Sequence, residues 1–230
     1  MERKHLRLVG SDDDDLTPID AIARAPSVEQ VVEAIRKGVC PSDRFFDHHL
    51  PCDLRRPSSQ HWTPLAVALR VAEWLSGLGV RSVVDIGSGA GKFCVAAALA
   101  SRCSFTGIEQ RVRFVEAART LAKRFGVDDR VRFVHGALSR DSIPAANAYY
   151  LFNHFGENLF GPDEHLSNDV ELSFDRYKRD IALMEGFFEQ APIGTLVVKY
   201  NGFGGRMPPS YETVFVAREM VNVLRMWRKR

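Results

Sequence analysis

The spacing of apolar positions changes character near residue 80. Downstream, short apolar runs alternate with amphipathic stretches. Residues 82–86, 104–108, 131–135, 148–152 and 195–200 read as strands, the last as a sheet-centre strand covered on both faces. Between them, residues 93–100 form a small-residue helix, and residues 111–125 a second helix closed by Gly126. Residues 174–189 form a third, with Ile181, Met184 and Phe188 on one side. Residues 211–216 and 221–227 then read as an antiparallel pair. Repeated strand–helix–strand units imply a parallel sheet. The expected fold is α/β: a doubly wound, mostly parallel seven-stranded sheet with a C-terminal antiparallel hairpin and an N-terminal helical extension.

Upstream the pattern differs. Asp12 to Asp15 form an acidic run, read as a solvated loop or helix start. Ser27 followed by Gln30 is a capping box, and Val31, Val32 and Ile35 follow at helical spacing, which predicts a helix over residues 28–37. Residues 38–60 are punctuated by Pro41, Pro51 and Pro57 and show little periodicity. Thr63 and Pro64 then start a helix whose face is Leu65, Leu69, Ala72 and Leu75, ended by Gly77 and Gly79. The chain therefore divides into an accessory segment, residues 1–60, and a main domain, residues 61–230.

Composition narrows the function classes. In 230 residues, 45% are hydrophobic and 26% charged, which excludes a fibrous or wholly disordered chain. Lys+Arg 31 against Asp+Glu 29 leaves +2, giving no support to a polyanion binder. Four cysteines without CxxC spacing make no disulfide framework or zinc motif. Asp47, His48, His49, Cys52 and His61 match no ligand spacing, so no metal is assigned. With no signal-peptide core and no membrane-length apolar run, a cytoplasmic location is expected.

The chemistry concentrates in Val84-Asp85-Ile86-Gly87-Ser88-Gly89-Ala90-Gly91, a strand running into a glycine turn and then a helix. Glu109 ends the next strand, where a carboxylate can accept both ribose hydroxyls of an adenosine. A dinucleotide wants G-x-G-x-x-G; here the third glycine comes one place early and Lys92 fills its slot. Asp85 would repel a pyrophosphate but suits a cationic ligand, the amino-acid end and sulfonium of S-adenosyl-L-methionine.

The Val84 to Gly91 segment resembles motif I of the class I S-adenosylmethionine-dependent methyltransferases, with Glu109 as their second-strand acid. The resemblance covers residues 62–230 and includes the reversed C-terminal hairpin. It implies that Asp85, Gly87, Ser88, Gly89 and Gly91 hold the methionine part, Glu109 with Gln110 the ribose, and Gly136 and Ala137 the adenine. The family's Asp at that last point is missing. Thr63 would lie near the cofactor carboxylate. After the fourth strand, Asn153-His154-Phe155 is similar to the Asn-Pro-Phe turns of nitrogen methyltransferases. That makes Asn153 the residue that aligns the acceptor and also a cofactor contact, with Glu157 as a proton acceptor. Ser59 to Pro64 and the Asn153 segment also loosely resemble the disruptor-of-telomeric-silencing histone-lysine methyltransferases.

The expected activity is methyl transfer, most directly to nitrogen, on an unknown acceptor. Protein or small molecule is favoured over nucleic acid, and no membrane partner is expected. The alternatives are a non-catalytic S-adenosylmethionine-binding or protein-interaction module, and an NAD-dependent oxidoreductase. The glycine-rich loop from Asn201 to Pro209 is expected to act as a substrate lid.

Overall fold

The computed structural model describes residues 7–8, 25–152, 155–167, 169–218 and 222–230. The acidic run at residues 12–15 and the site residues Asn153 and His154 lie outside them. The first described elements are β1 (Arg7–Leu8), α1 (Val28–Arg36) and β2 (Val39–Cys40), with β1 and β2 paired in parallel. Ser27 caps α1 through the reciprocal Gln30 contact. Three short helices follow where little periodicity was visible: α2 (Asp43–Asp47), α3 (Cys52–Arg55) and α4 (Ser58–His61). Helices of four or five residues complete barely one turn, too little to display a 3.6-residue period.

The remaining elements are α5 (Leu65–Gly77), β3 (Ser82–Ile86), α6 (Lys92–Ala100), β4 (Ser104–Glu109), α7 (Val112–Arg124), β5 (Val131–His135), β6 (Ala148–Phe152), α8 (Phe174–Gln190), β7 (Leu196–Tyr200), β8 (Tyr211–Ala217) and β9 (Leu224–Lys229). The seven-stranded sheet runs β5-β4-β3-β6-β7-β9-β8, parallel through β7 and antiparallel at β9 and β8. The strand order reverses between β3 and β6, so their carboxyl ends open a crevice at the switch point.

The two faces are covered unequally. Helices α5, α6 and α7 pack on one face, and Val31, Ile35, Phe46, Leu50 and Leu54 of the N-terminal segment join the same core. The core is therefore continuous across residue 60. The other face has α8, with Met184 and Phe188 buried against Val84, Ile86, Leu151 and Val197. Loops complete that face, and one is the glycine-rich stretch expected as a lid. Its Phe203 is buried, edge-on to Phe188 at 5.8 Å, and the Arg206 N–H donates to Glu185 at 2.7 Å. A side chain at Gly204 would collide with the Tyr177 hydroxyl. The loop is an anchored wall of the second core, and none of its residues lines the cleft below β3 and β6.

Lys92 joins the N-terminal segment to the sheet. It is the first residue of α6 and is 2% exposed. Its ammonium lies 2.5 Å from Asp43 and 2.7 Å from Asp47, and it donates to Ser58 Oγ at 3.2 Å. A cation at a helix N-terminus opposes the helix dipole, and the two carboxylates offset that charge. Asp43 also accepts the Leu65 N–H at 2.8 Å, serving the first turn of α5 from a distance.

Candidate active site

The glycine turn after β3 is bound to the end of β4. The Ile108 carbonyl accepts N–H bonds from both Gly87 and Ser88, each at 2.9 Å. Gly87, Gly89 and Gly91 have φ of +73°, +52° and +82°, the left-handed region that side-chained residues avoid. Space is equally restrictive. A Cβ on Gly89 would sit 2.3 Å from the Trp62 ring, and one on Gly91 2.6 Å from Phe133. Gly89→Ala is therefore expected to displace Trp62 and lower affinity for the site's ligand at least about tenfold, read by titration calorimetry; an unchanged affinity would remove this turn from the binding site.

Glu109 ends β4 with its carboxylate turned back onto this turn. It accepts the Gly89 N–H at 3.0 Å and the Arg111 N–H at 2.8 Å. Burial raises its carboxyl above the usual range, opposed by the Arg111 N–H and charge and by the Gly89 N–H. Asp85 is sealed at the end of β3, accepting only a thiol contact from Cys94 at 3.4 Å, and it has no ion pair among the described residues. Burial pushes it up to about 7, and the Glu109 charge adds to the rise while the Cys94 bond opposes it. Ser88 Oγ is buried with no hydrogen-bond partner among the described residues.

These groups line two joined compartments. The larger, about 800 Å³, has Glu109, Gln110, Gly136, Leu138, Arg176 and Asp180 in its walls. The smaller, about 280 Å³, is lined by Thr63, Asp85, Ser88 and Lys92 among others. His61, Trp62, Gly87 and Phe152 belong to both. The Thr63 hydroxyl is 3.0 Å from the buried Tyr150 hydroxyl, and Tyr150 stacks on Phe93 at 3.7 Å. Trp62 is fixed by its indole N–H, which donates to the Leu54 carbonyl at 2.8 Å, and by edge contact with Phe114 at 5.4 Å.

Most of the residues expected at the site meet here: Thr63, Asp85, Gly87, Ser88, Gly89, Glu109, Gln110, Gly136 and Glu157 all line the two compartments. Gly91 lies just behind them, as the N-cap of α6. Ala137 departs from expectation. It is exposed, and the next inward residue, Leu138, takes the wall position. Glu157 lines the cleft, but its Oε1 is engaged by Arg111 at 2.8 Å and by the Leu166 N–H at 2.7 Å. Of the scattered histidine, cysteine and acid set, Asp47 turns to Lys92 and Ser58, His49 packs on Phe125, and His61 faces the cleft.

Three charged wall residues escaped the sequence reading. Arg111 is buried against Glu157 and Ser167. Arg176 donates to Asp180 at 2.7 Å and reaches Gln110 at 3.4 Å. Asp180 is buried, its carboxyl raised by desolvation against the pull of Arg176. It falls four residues before Met184 on the buried side of α8, a spacing that could have revealed it.

Comparison with known proteins agrees with this fold. A methyltransferase domain model matches residues 81–142. No curated protein sequence matches the chain. Among solved structures, an RNA methyltransferase from Salinibacter ruber in complex with S-adenosyl-L-homocysteine is 27% identical, with 73% of this chain and 92% of that one covered and a TM-score of 0.51. An O-methyltransferase from Bacillus cereus, also in complex with S-adenosyl-L-homocysteine, is 14% identical over 88% of this chain and all 100% of that one, at 0.56. Magnesium protoporphyrin IX methyltransferase from Synechocystis is 11% identical over 77% and 82%, at 0.52. The sheet order with its reversed hairpin is the Rossmann-like methyltransferase fold. Residues 81–142 thus match a methyltransferase domain, and the chain has the fold of S-adenosylmethionine-dependent methyltransferases. No helix among the described residues is long and apolar enough to cross a membrane.

Proposed function

We propose that the two compartments bind S-adenosyl-L-methionine and that the chain transfers its methyl group to a nitrogen of a protein or small-molecule acceptor. The observation that carries the cofactor part is Asp85, a buried carboxylate without a cationic partner among the described residues. The donor set fits the ligand: Asp85 for the amino-acid end, with Thr63 beside it, and Glu109, Gln110 and Gly136 for the adenosine. When bound, the cofactor supplies an electrophilic methyl group. The protein's own task is to align the acceptor and exclude water. A nicotinamide dinucleotide would bring its pyrophosphate against Asp85. Calorimetry should find binding of S-adenosylmethionine and none of NAD; the reverse result overturns the assignment.

The nitrogen acceptor rests on Asn153-His154-Phe155, and the likeness to histone-lysine methyltransferases on the same segment together with Ser59 to Pro64. Neither the matched domain model nor the structural neighbours reported above add support to that histone-lysine likeness. The net charge of +2 supplies no basic excess for a phosphate backbone to neutralise. RNA, the substrate named for the Salinibacter enzyme, is the competing reading. Labelled methyl transfer into a cell extract, sorted into protein, nucleic acid and metabolites, decides it. Raising salt from about 50 to 200 mM should change kcat/KM less than about threefold, whereas a phosphate-binding acceptor site would lose on the order of a thousandfold. Label in no fraction would favour the non-catalytic binding module.

A further inference from the structure

Among the described residues, four line both compartments and form their junction: His61, Trp62, Gly87 and Phe152. If the amino-acid end lies by Asp85 and the ribose by Glu109, as proposed above, the reacting sulfur and methyl lie at this junction. Trp62 has its N–H committed to Leu54, Gly87 presents backbone, and Phe152 is apolar. Among the described residues, His61 is the one junction residue with a side chain that can exchange a proton.

We propose that His61 is a catalytic residue that accepts the proton released by the acceptor nitrogen. The nitrogen lone pair forms the new C–N bond while the C–S bond breaks and its electron pair stays on sulfur. As that bond forms, in the same transition state, the proton on the increasingly cationic nitrogen passes to an unprotonated ring nitrogen of His61, and from there to solvent. This role rests on the cofactor placement just given.

The surroundings suit the task. The His61 ring makes no side-chain hydrogen bond among the described residues and packs edge-on to Phe160 at 6.4 Å, beside Trp62. Burial holds its pKa below the ordinary 6.5, Arg111 adds to the depression, and Glu157 opposes it. Arg111 faces it from the start of α7 and Glu157 from the turn Gly156–Leu159. From the sheet side, Asp85 and Lys92 share its smaller compartment and Glu109 its larger one. The ring is thereby a free base at neutral pH. Glu157, held by Arg111 and Leu166, has no such freedom.

The test uses the full chain and two readouts. Histidine ring NMR of the wild type should show His61 titrating below 6.5, with its resonances moving when S-adenosyl-L-homocysteine is added. Resonances that stay put overturn the placement. His61→Gln and His61→Asn should bind S-adenosyl-L-homocysteine within about threefold of wild type. Single-turnover methyl transfer into the accepting extract fraction should fall about a hundredfold or more, and the acid limb of its pH profile should vanish. Unchanged turnover with the acid limb retained, or equal losses of affinity and turnover, overturns the role. Failure of the wild type to bind the cofactor would instead overturn the proposed function itself.

Discussion

Replacing Asp85 with Asn is expected to make the free protein more stable and to strip it of cofactor affinity. The sign follows from the buried carboxyl. An unfolded Asp releases its proton near 3.8, and the folded one only near 7. Ionisation therefore opposes folding across that interval, and the deficit grows as pH rises until it levels off above 7. A shift of about three units corresponds to at most about 4 kcal/mol at pH 8, and to less than half of that at pH 5. Asparagine has no such deficit. Scanning calorimetry should show Asp85→Asn melting roughly 5–10 °C above wild type at pH 8, with a smaller gap at pH 5. The loss of a buried charge partner should weaken S-adenosylmethionine binding by about a hundredfold or more. Unchanged affinity removes Asp85 from the site, and a stability gap independent of pH removes the buried-charge account. Binding the cation would also favour ionised Asp85, so wild-type affinity should rise as pH increases through 7.

Lys92→Met carries the largest expected loss of stability. It leaves Asp47 buried and Asp43 half-buried without their cation, at the point where α2 and α4 meet α6. Burial already raises the Asp47 carboxyl, with the Lys92 charge opposing. Removing one member of a buried ion pair costs several kcal/mol, and about 2–4 kcal/mol is expected because Asp43 is partly solvated. Thermal unfolding should begin roughly 5–10 °C lower. Adding Asp47→Asn to Lys92→Met should recover part of that loss, because the stranded charge is gone. A melting point within about 2 °C of wild type would show that the cluster does not hold the segment in place.

These two residues also mark what the sequence makes legible. The central strands were readable because β3, β6 and β7 each bury nearly the whole of a five-residue run, and β5 and β6 match residue for residue. Asp85, the glycines and Glu109 were readable because a strand, a tight turn and an acid must lie close in sequence to cradle one ligand. The partners of Lys92 were not, since Asp43 is 49 residues away in the chain and no local period links them. Asp180 and Arg111 enter the cleft from elements whose main pattern is apolar packing or exposed charge. The stretch from Asn201 to Pro209 resembles a mobile lid in its glycine content. Only the structure shows Phe203 and Arg206 binding it to α8.

Trp62 offers an optical consequence. Its ring lies against Gly89, walls both compartments and borders a further cavity of about 1130 Å³ on the side of Lys92. The other two tryptophans are elsewhere: Trp74 stacks on Phe215, and Trp227 lies beneath the Lys199 ammonium. Occupancy of the cleft therefore alters the polarity around one indole of three, and the protein's own fluorescence becomes a label-free titration signal whose Trp62→Phe control is silent.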